Sequence, residues 1–226
     1  MKSVDGLWQM TKFRPCSLIV LAVLAVFART VGFSYIGLDD AGYTFRNPFV
    51  ATGFSWANIV ECFTNFRHGG IWMPFTYISY MIDMDASRIT GMQLSACMHL
   101  VNVLLHVLNA VLLLFFVRRL AFAVGKNGDS MPVLTAALFW ALHPMRVEPV
   151  AWIACRKELL WGAFHAWRTR LLDEISDGFS QQCRREDKPR SCVPVMCCGV
   201  SVQAYRNVLS LSCRSASPVA SVRHRG

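Results

Sequence analysis

The sequence predicts an all-α, polytopic membrane helical bundle. Three observations lead there. Apolar residues make up 54% of the chain and charged residues only 16%, against roughly 25% charged in soluble domains. Two long apolar stretches, at 16–36 and 94–117, have basic residues at their outer ends. Four polar side chains recur along the second stretch at helical spacing. Seven Trp and fifteen Phe suit a protein with much of its surface in lipid. The net charge of +9 is uneven: residues 1–164 carry 13 basic against 9 acidic residues, and residues 165–226 carry 10 against 5. A basic balance alone permits nucleic-acid binding. The apolar spans make membrane topology the better explanation, so lipid is the expected partner and nucleic acid is not.

Taken in order, residues 1–15 form a short N-terminus with Lys2, Lys12 and Arg14. The first span is 16–36, made of the run Ser17–Ala28, Arg29, and the continuation Val31–Ile36. A cleaved signal peptide is the competing reading, with its basic start and small residues near Ala28. The continuation extends the apolar length toward a bilayer crossing. The second span, 94–117, is closed by Arg118 and Arg119, and a polar loop follows to residue 130. Basic residues before span one and after span two put both of those ends in the cytoplasm, which makes 37–93 a large lumenal loop.

Span three starts at Met131 near Pro132 and is apolar only to Leu142, short for a crossing. Either it tilts within the bundle or it continues through His143-Pro144 as irregular backbone lining a cavity. Pro149, just after Glu148, suits the first turn of a new helix. That helix leads to the start of an incomplete fourth span, ending the segment 131–164. Residues 165–226 are Ser-, Arg- and Cys-rich without sustained periodicity. They read as a disordered tail joined like a truncated, frameshifted or alternatively spliced end. Five of the nine cysteines lie there, and no C-x-x-C spacing suggests zinc.

Candidate site residues fall in three places. Asp39 and Asp40 lie just past the first span, where two carboxylates are costly unless used to hold a cation, a proton or a sugar donor. The alternative is a helix N-cap beside a loop acid. In the same loop, Phe54, Trp56, Ile59, Val60, Phe63 and Phe66 predict an amphipathic helix at the membrane interface. Along span two, His99, Asn102, His106 and Asn109 lie within an arc of about 80°. Such a stripe must face the bundle interior. It either bonds neighbouring helices or, at His99 and Asn102, lines a cavity with the acidic pair. His99 and His106 are about 10 Å apart along the axis, too far for one metal. Last comes the segment His143–Glu158. Its Arg156 and Lys157 can bind a phosphate, and its Glu148 can orient a hydroxyl or pair with Arg156; His143 joins the same candidate pocket. An ordinary interfacial helix contacting lipid headgroups is the alternative.

These pieces together resemble a known family. The order is Leu38-Asp39-Asp40-x-x-Tyr43-x-x-x-Asn47-Pro48, then Phe63-Thr64 and Trp72-x-Pro74-x-Thr76-x-x-Ser79. His99-x-x-Asn102-x-x-x-His106-x-x-Asn109-Ala110 follows. The most specific block is Leu142-His143-Pro144-x-x-Val147-Glu148-x-Val150-Ala151-Trp152-Ile153-x-x-Arg156-Lys157-Glu158-Leu159-Leu160. Over residues 13–164 the chain resembles the N-terminal membrane part of the transmembrane and tetratricopeptide-repeat proteins, sugar transferases of the GT-C type. The resemblance implies a GT-C-like bundle in the endoplasmic reticulum membrane, or the inner membrane of a bacterium. It implies transfer of mannose from a dolichyl-phosphate-linked donor to Ser or Thr hydroxyls of a lumenal acceptor protein. Asp39 or Asp40 would be the catalytic acid of the first lumenal loop, and Arg156 or Lys157 would meet the donor phosphate. No cofactor is assigned, and a divalent cation at Asp39 and Asp40 is left open. The family continues into further spans and helical repeats that do not follow here, so a truncated, inactive form is expected. A non-catalytic membrane scaffold or isoform fragment, and a transporter or channel fragment, are the alternatives from other classes.

Overall fold

The computed structural model describes residues 4–64, 71–123, 125 and 131–169. All regular structure among them is helical. Helix α1 spans Val4–Phe27 and ends in a 3-10 turn, Ala28–Gly32. The Thr30 hydroxyl donates to the Phe27 carbonyl at 2.7 Å, and the Phe33 N–H closes the turn on Thr30 O at 2.9 Å. Residues 33–36, expected inside the first span, are not helical, and Phe33 has extended backbone angles. Four helices follow: α2, Asp40–Tyr43; α3, Pro48–Ala51; α4, Trp56–Thr64; and α5, Pro74–Thr90. Helix α6, Leu94–Ala123, continues past Arg118-Arg119. After it come α7, Met131–Ala141, and α8, Val147–Ala151, each followed by irregular or 3-10 backbone. A final helix, α9, covers 156–169. It runs through His165 to Thr169 without the break expected at 165. The expected tail from residue 170 onward lies outside the described residues.

Two stretches, Pro15–Gly32 and Leu94–Phe122, have the length and apolar composition to cross a membrane. Helix α7 is apolar but shorter. At about 1.5 Å per residue the 30-residue α6 is about 45 Å long. It is the axis on which α1, α5, α7 and α8 pack.

Two apolar cores lie along this axis. One joins Ile19, Val23 and Phe27 of α1 to Val103, Ala110 and Leu114 of α6, Val133, Ala137 and Ala141 of α7, and Leu159 of α9. The other joins Phe49, Val50 and Cys62 of the loop to Tyr77, Tyr80 and Met81 of α5, with Met98 and Ile153. The amphipathic helix expected in the loop forms as α4, with Cys62 buried and Trp56, Val60 and Phe63 exposed.

The loop is held to α5 by a polar clamp. Arg88 donates to the Ala51 and Thr52 carbonyls at 2.6 and 3.1 Å, satisfying the end of α3. Asp85 accepts the Phe54 N–H at 2.8 Å. Between them Gly53 sits at φ +90°, where a Cβ would stand 2.2 Å from Asp85 Oδ1. Only glycine meets both conditions.

Candidate functional site

The chain breaks its helix twice between α7 and α9, and side chains from elsewhere take up the freed backbone groups. Pro144 has no N–H and forces His143 out of the helical region, to φ −62° and ψ 137°. In an unbroken helix the Met145 N–H would reach the Ala141 carbonyl. Here Met145 donates to His143 Nδ1 at 3.2 Å, and Ala141 O receives His106 Nε2 at 2.9 Å. A carbonyl only accepts, so His106 carries its proton on Nε2.

The second break repeats the exchange. The Ala154 N–H, whose helical partner would be Val150 O, donates to Asp40 Oδ1 at 2.9 Å. Val150 O receives Asn102 Nδ2 at 3.3 Å. One turn of α6 beyond His106, Asn109 donates to Leu159 O at 2.9 Å, and Gly162 lets α9 approach that side chain. Three of the four stripe residues therefore bond neighbouring backbone. Unpaired carbonyls buried in apolar surroundings cost several kcal/mol each, which explains why these polar residues line one face.

The acidic pair is divided. Asp40 is fully buried; its Oδ2 accepts the Ile36 N–H at 2.8 Å and its Oδ1 the Ala154 N–H. It pins the start of the loop to the 153–156 turn, 114 positions on. Asp39 is exposed at the N-cap position of α2, without a side-chain capping bond. Of the two acids expected as candidates for the first-loop carboxylate, Asp39 is the exposed one and Asp40 is enclosed. The two do not fit a shared divalent cation, because both Asp40 oxygens already face N–H donors. Among the described residues no group of three metal-ligating side chains gathers.

Arg156 is also corrected. It is fully buried and donates from Nε to Asn102 Oδ1 at 2.7 Å, from Nη2 to Met98 O at 2.7 Å, and from Nη1 to Ser79 Oγ and Asp83 Oδ2. Its guanidinium carbon lies 4.6 Å over the Tyr80 ring. Four of its five N–H groups have protein acceptors, so it is not a phosphate ligand. Its charge is met by Asp83, 73 positions away, and not by Glu148. Burial pushes the Asp83 carboxyl up, with Arg156 pulling against that shift. Tyr80 donates to Ile153 O at 2.7 Å, and burial pushes its hydroxyl up.

The remaining candidates separate. Lys157, next to Arg156 but only half-buried, is the cation still accessible. His99 is buried, and neither ring nitrogen has a hydrogen bond of good geometry, although the Ser34 backbone stands near it. The buried Tyr35 hydroxyl is likewise unpartnered, and burial with Asp40 nearby pushes it up to about 12. His143 is half-buried on the turn after α7, and Glu148 is exposed in the first turn of α8. No bond ties either to Asp40. His143 lies two residues beyond Ala141, whose carbonyl meets His106, about 10 Å along α6 from His99.

Sequence reasoning missed Asp83, Ser79 and Tyr80 as partners of Arg156. The available signal was Ser79, Tyr80 and Asp83 at i, i+1 and i+4 on α5, which share one side of the helix. Comparison with known proteins adds nothing to this geometry: no family model, curated protein or solved structure matches the chain.

Proposed function

We propose that this chain is a polytopic membrane glycosyltransferase of the GT-C type. It transfers mannose from a dolichyl-phosphate donor to Ser or Thr hydroxyls of acceptor proteins in the lumen of the endoplasmic reticulum. The single observation that carries the reading is the Asp40–Ala154 hydrogen bond. Through it the loop bearing Asp39 abuts the turn that leads to Lys157. An exposed acid and an accessible cation at one junction suit this chemistry.

In the proposed step the acceptor hydroxyl oxygen attacks the sugar C1, and Asp39 takes the hydroxyl proton. The bond from C1 to the phosphate oxygen breaks, and the phosphate leaves with the electron pair. Lys157 offers charge where that anion develops. Asp40 and Arg156 hold the frame and touch neither reactant.

The test uses membranes containing the full chain, a dolichyl-phosphate-linked radiolabelled mannose and an acceptor protein. Asp39→Asn lowers transfer about 100-fold or more at equal expression, the usual scale for losing a general base. Equal transfer by the two proteins contradicts the reading.

A non-catalytic membrane scaffold is the second reading. What favours it is the saturation of Asp40 and Arg156 by internal hydrogen bonds, as a purely structural role would require. It predicts no transfer by the unaltered chain.

A further inference from the structure

Helix α5 has two apolar faces, and only one of them reaches the core. Tyr77, Tyr80 and Met81 are buried in the cluster they share with the loop and Met98 of α6. On the other side Phe75, Ile82 and Ile89 are 58%, 53% and 85% exposed, with Ile78 and Ala86 half-buried between them. At about 100° per residue these five lie within an arc of about 80°. Single exposed apolar side chains are ordinary; a stripe of them along about 21 Å of one helix marks a docking surface. Helix α5 carries Asp83, Asp85 and Arg88 and lacks the length and apolar composition of a membrane crossing. A protein partner therefore accounts for the stripe better than acyl chains do.

The spacing of the stripe says which protein. Ile82 is its centre: Ile78 and Ala86 stand four positions to either side, Phe75 and Ile89 seven. A pattern that reads the same in both directions is what a two-fold antiparallel helix pair needs, because each contact then occurs twice. Ile82 meets the partner's Ile82 on the axis, Phe75 meets the partner's Ile89, and Ile78 meets the partner's Ala86, whose small side chain lets the helices approach. The charges are compatible with this pairing. Position 85 mirrors Ser79 and position 88 mirrors Thr76, so neither Asp85 nor Arg88 opposes a like charge. Phe75 is already fixed for such a contact, its ring packed on Phe63 at 5.9 Å and on Phe164 at 5.5 Å. Phe63 and Phe164 are themselves exposed and extend the apolar face beyond α5.

We propose that α5 is a self-association face: two copies of this chain pair antiparallel along Phe75–Ile89, about a two-fold axis through Ile82. The pairing uses neither Asp39 nor Lys157, and it stands or falls independently of the transferase reading.

The first test cross-links full chains in membranes with a short thiol-to-thiol reagent, after the nine native cysteines are replaced by Ala. Ile82→Cys gives a covalent dimer. Phe75→Cys and Ile89→Cys, each expressed alone, do not, since two copies of either position lie about 21 Å apart in the pair. Co-expressed, they link to each other. The second test leaves the native cysteines in place and co-purifies two differently tagged copies in mild detergent. Ile82→Glu in both copies lowers co-purification tenfold or more, because two carboxylates then meet on the axis. Ile82→Glu in one copy with Ile82→Lys in the other restores it, which a misfolded variant would not do. If the cysteine-free chain does not fold, the charge variants decide alone. Self-linking of Phe75→Cys shows a parallel pair and overturns the proposal. So does a folded Ile82→Cys chain that forms no dimer, and the stripe then faces lipid or a different protein. Co-purification that Ile82→Glu leaves unchanged, or that Ile82→Lys does not restore, overturns it equally.

Discussion

Asp40 and Asn102 divide between them a hydrogen bond that the main chain has given up. Asp40 takes the Ala154 N–H and Asn102 supplies a donor to Val150 O, the two groups that an unbroken helix would have joined to each other. The break thereby becomes a junction of the first loop, α6 and the start of α9.

Replacing Asp40 should therefore damage the fold more than replacing Asp39. Asn in place of Asp40 offers one acceptor oxygen where two N–H groups converge, and its amide points a donor at the other. The expected cost is about 1–3 kcal/mol for the stranded buried group. Asp39→Asn should leave stability within about 0.5 kcal/mol, as exposed substitutions do. Thermal unfolding in detergent, followed by circular dichroism, distinguishes the two.

The buried ion pair makes a sharper prediction. Arg156→Gln strands the Asp83 carboxylate and should cost about 3–5 kcal/mol. Adding Asp83→Asn removes the stranded charge, so the double variant should be more stable than the Arg156→Gln single variant. A double-mutant cycle measures this; purely additive losses would show that the pair is not coupled.

Gly53→Ala sets a side chain against Asp85 at a backbone angle that L-residues avoid. Opening the clamp that Asp85 and Arg88 form should cost about 1–3 kcal/mol. It should also raise hydrogen exchange at the Phe54 amide, whose acceptor is Asp85. Unchanged exchange there contradicts the clamp.

On α6, Asn102→Leu and Asn109→Leu each remove a donor to a neighbouring carbonyl. Asn109→Leu should cost about 0.6–2 kcal/mol, the range for interhelical bonds in membranes, and Asn102→Leu more, because the buried Arg156 Nε loses its acceptor as well. Leu104→Ala, on the outward face of the same helix, should cost less. Unfolding in mixed micelles gives the comparison.

The helices were legible because their signals are local. Apolar length marked α1 and α6, the Trp56–Phe63 spacing marked α4, and Pro144 marked the first break. The polar stripe told which face of α6 turns inward, though not what it bonds. The site was legible only in outline. Sequence offers no way to tell which of two adjacent acids is buried, because the answer rests on a backbone N–H 114 positions away. Nor does it reveal that Arg156 turns to Asp83 on another helix and away from the nearer Glu148. The end of the first helical stretch at Gly32 was hidden because Phe33–Ile36 read as a continuation of the apolar span, while their backbone is non-helical and the Ile36 N–H turns to Asp40.

The junction itself is tested most directly by sidedness. In sealed vesicles carrying Asp39→Cys, Lys157→Cys or Arg119→Cys, a membrane-impermeant thiol reagent is applied from one side and the labelled sites are mapped by mass spectrometry. Positions 39 and 157 should label from the same side and position 119 from the other. Labelling of 39 and 157 from opposite sides would contradict the account.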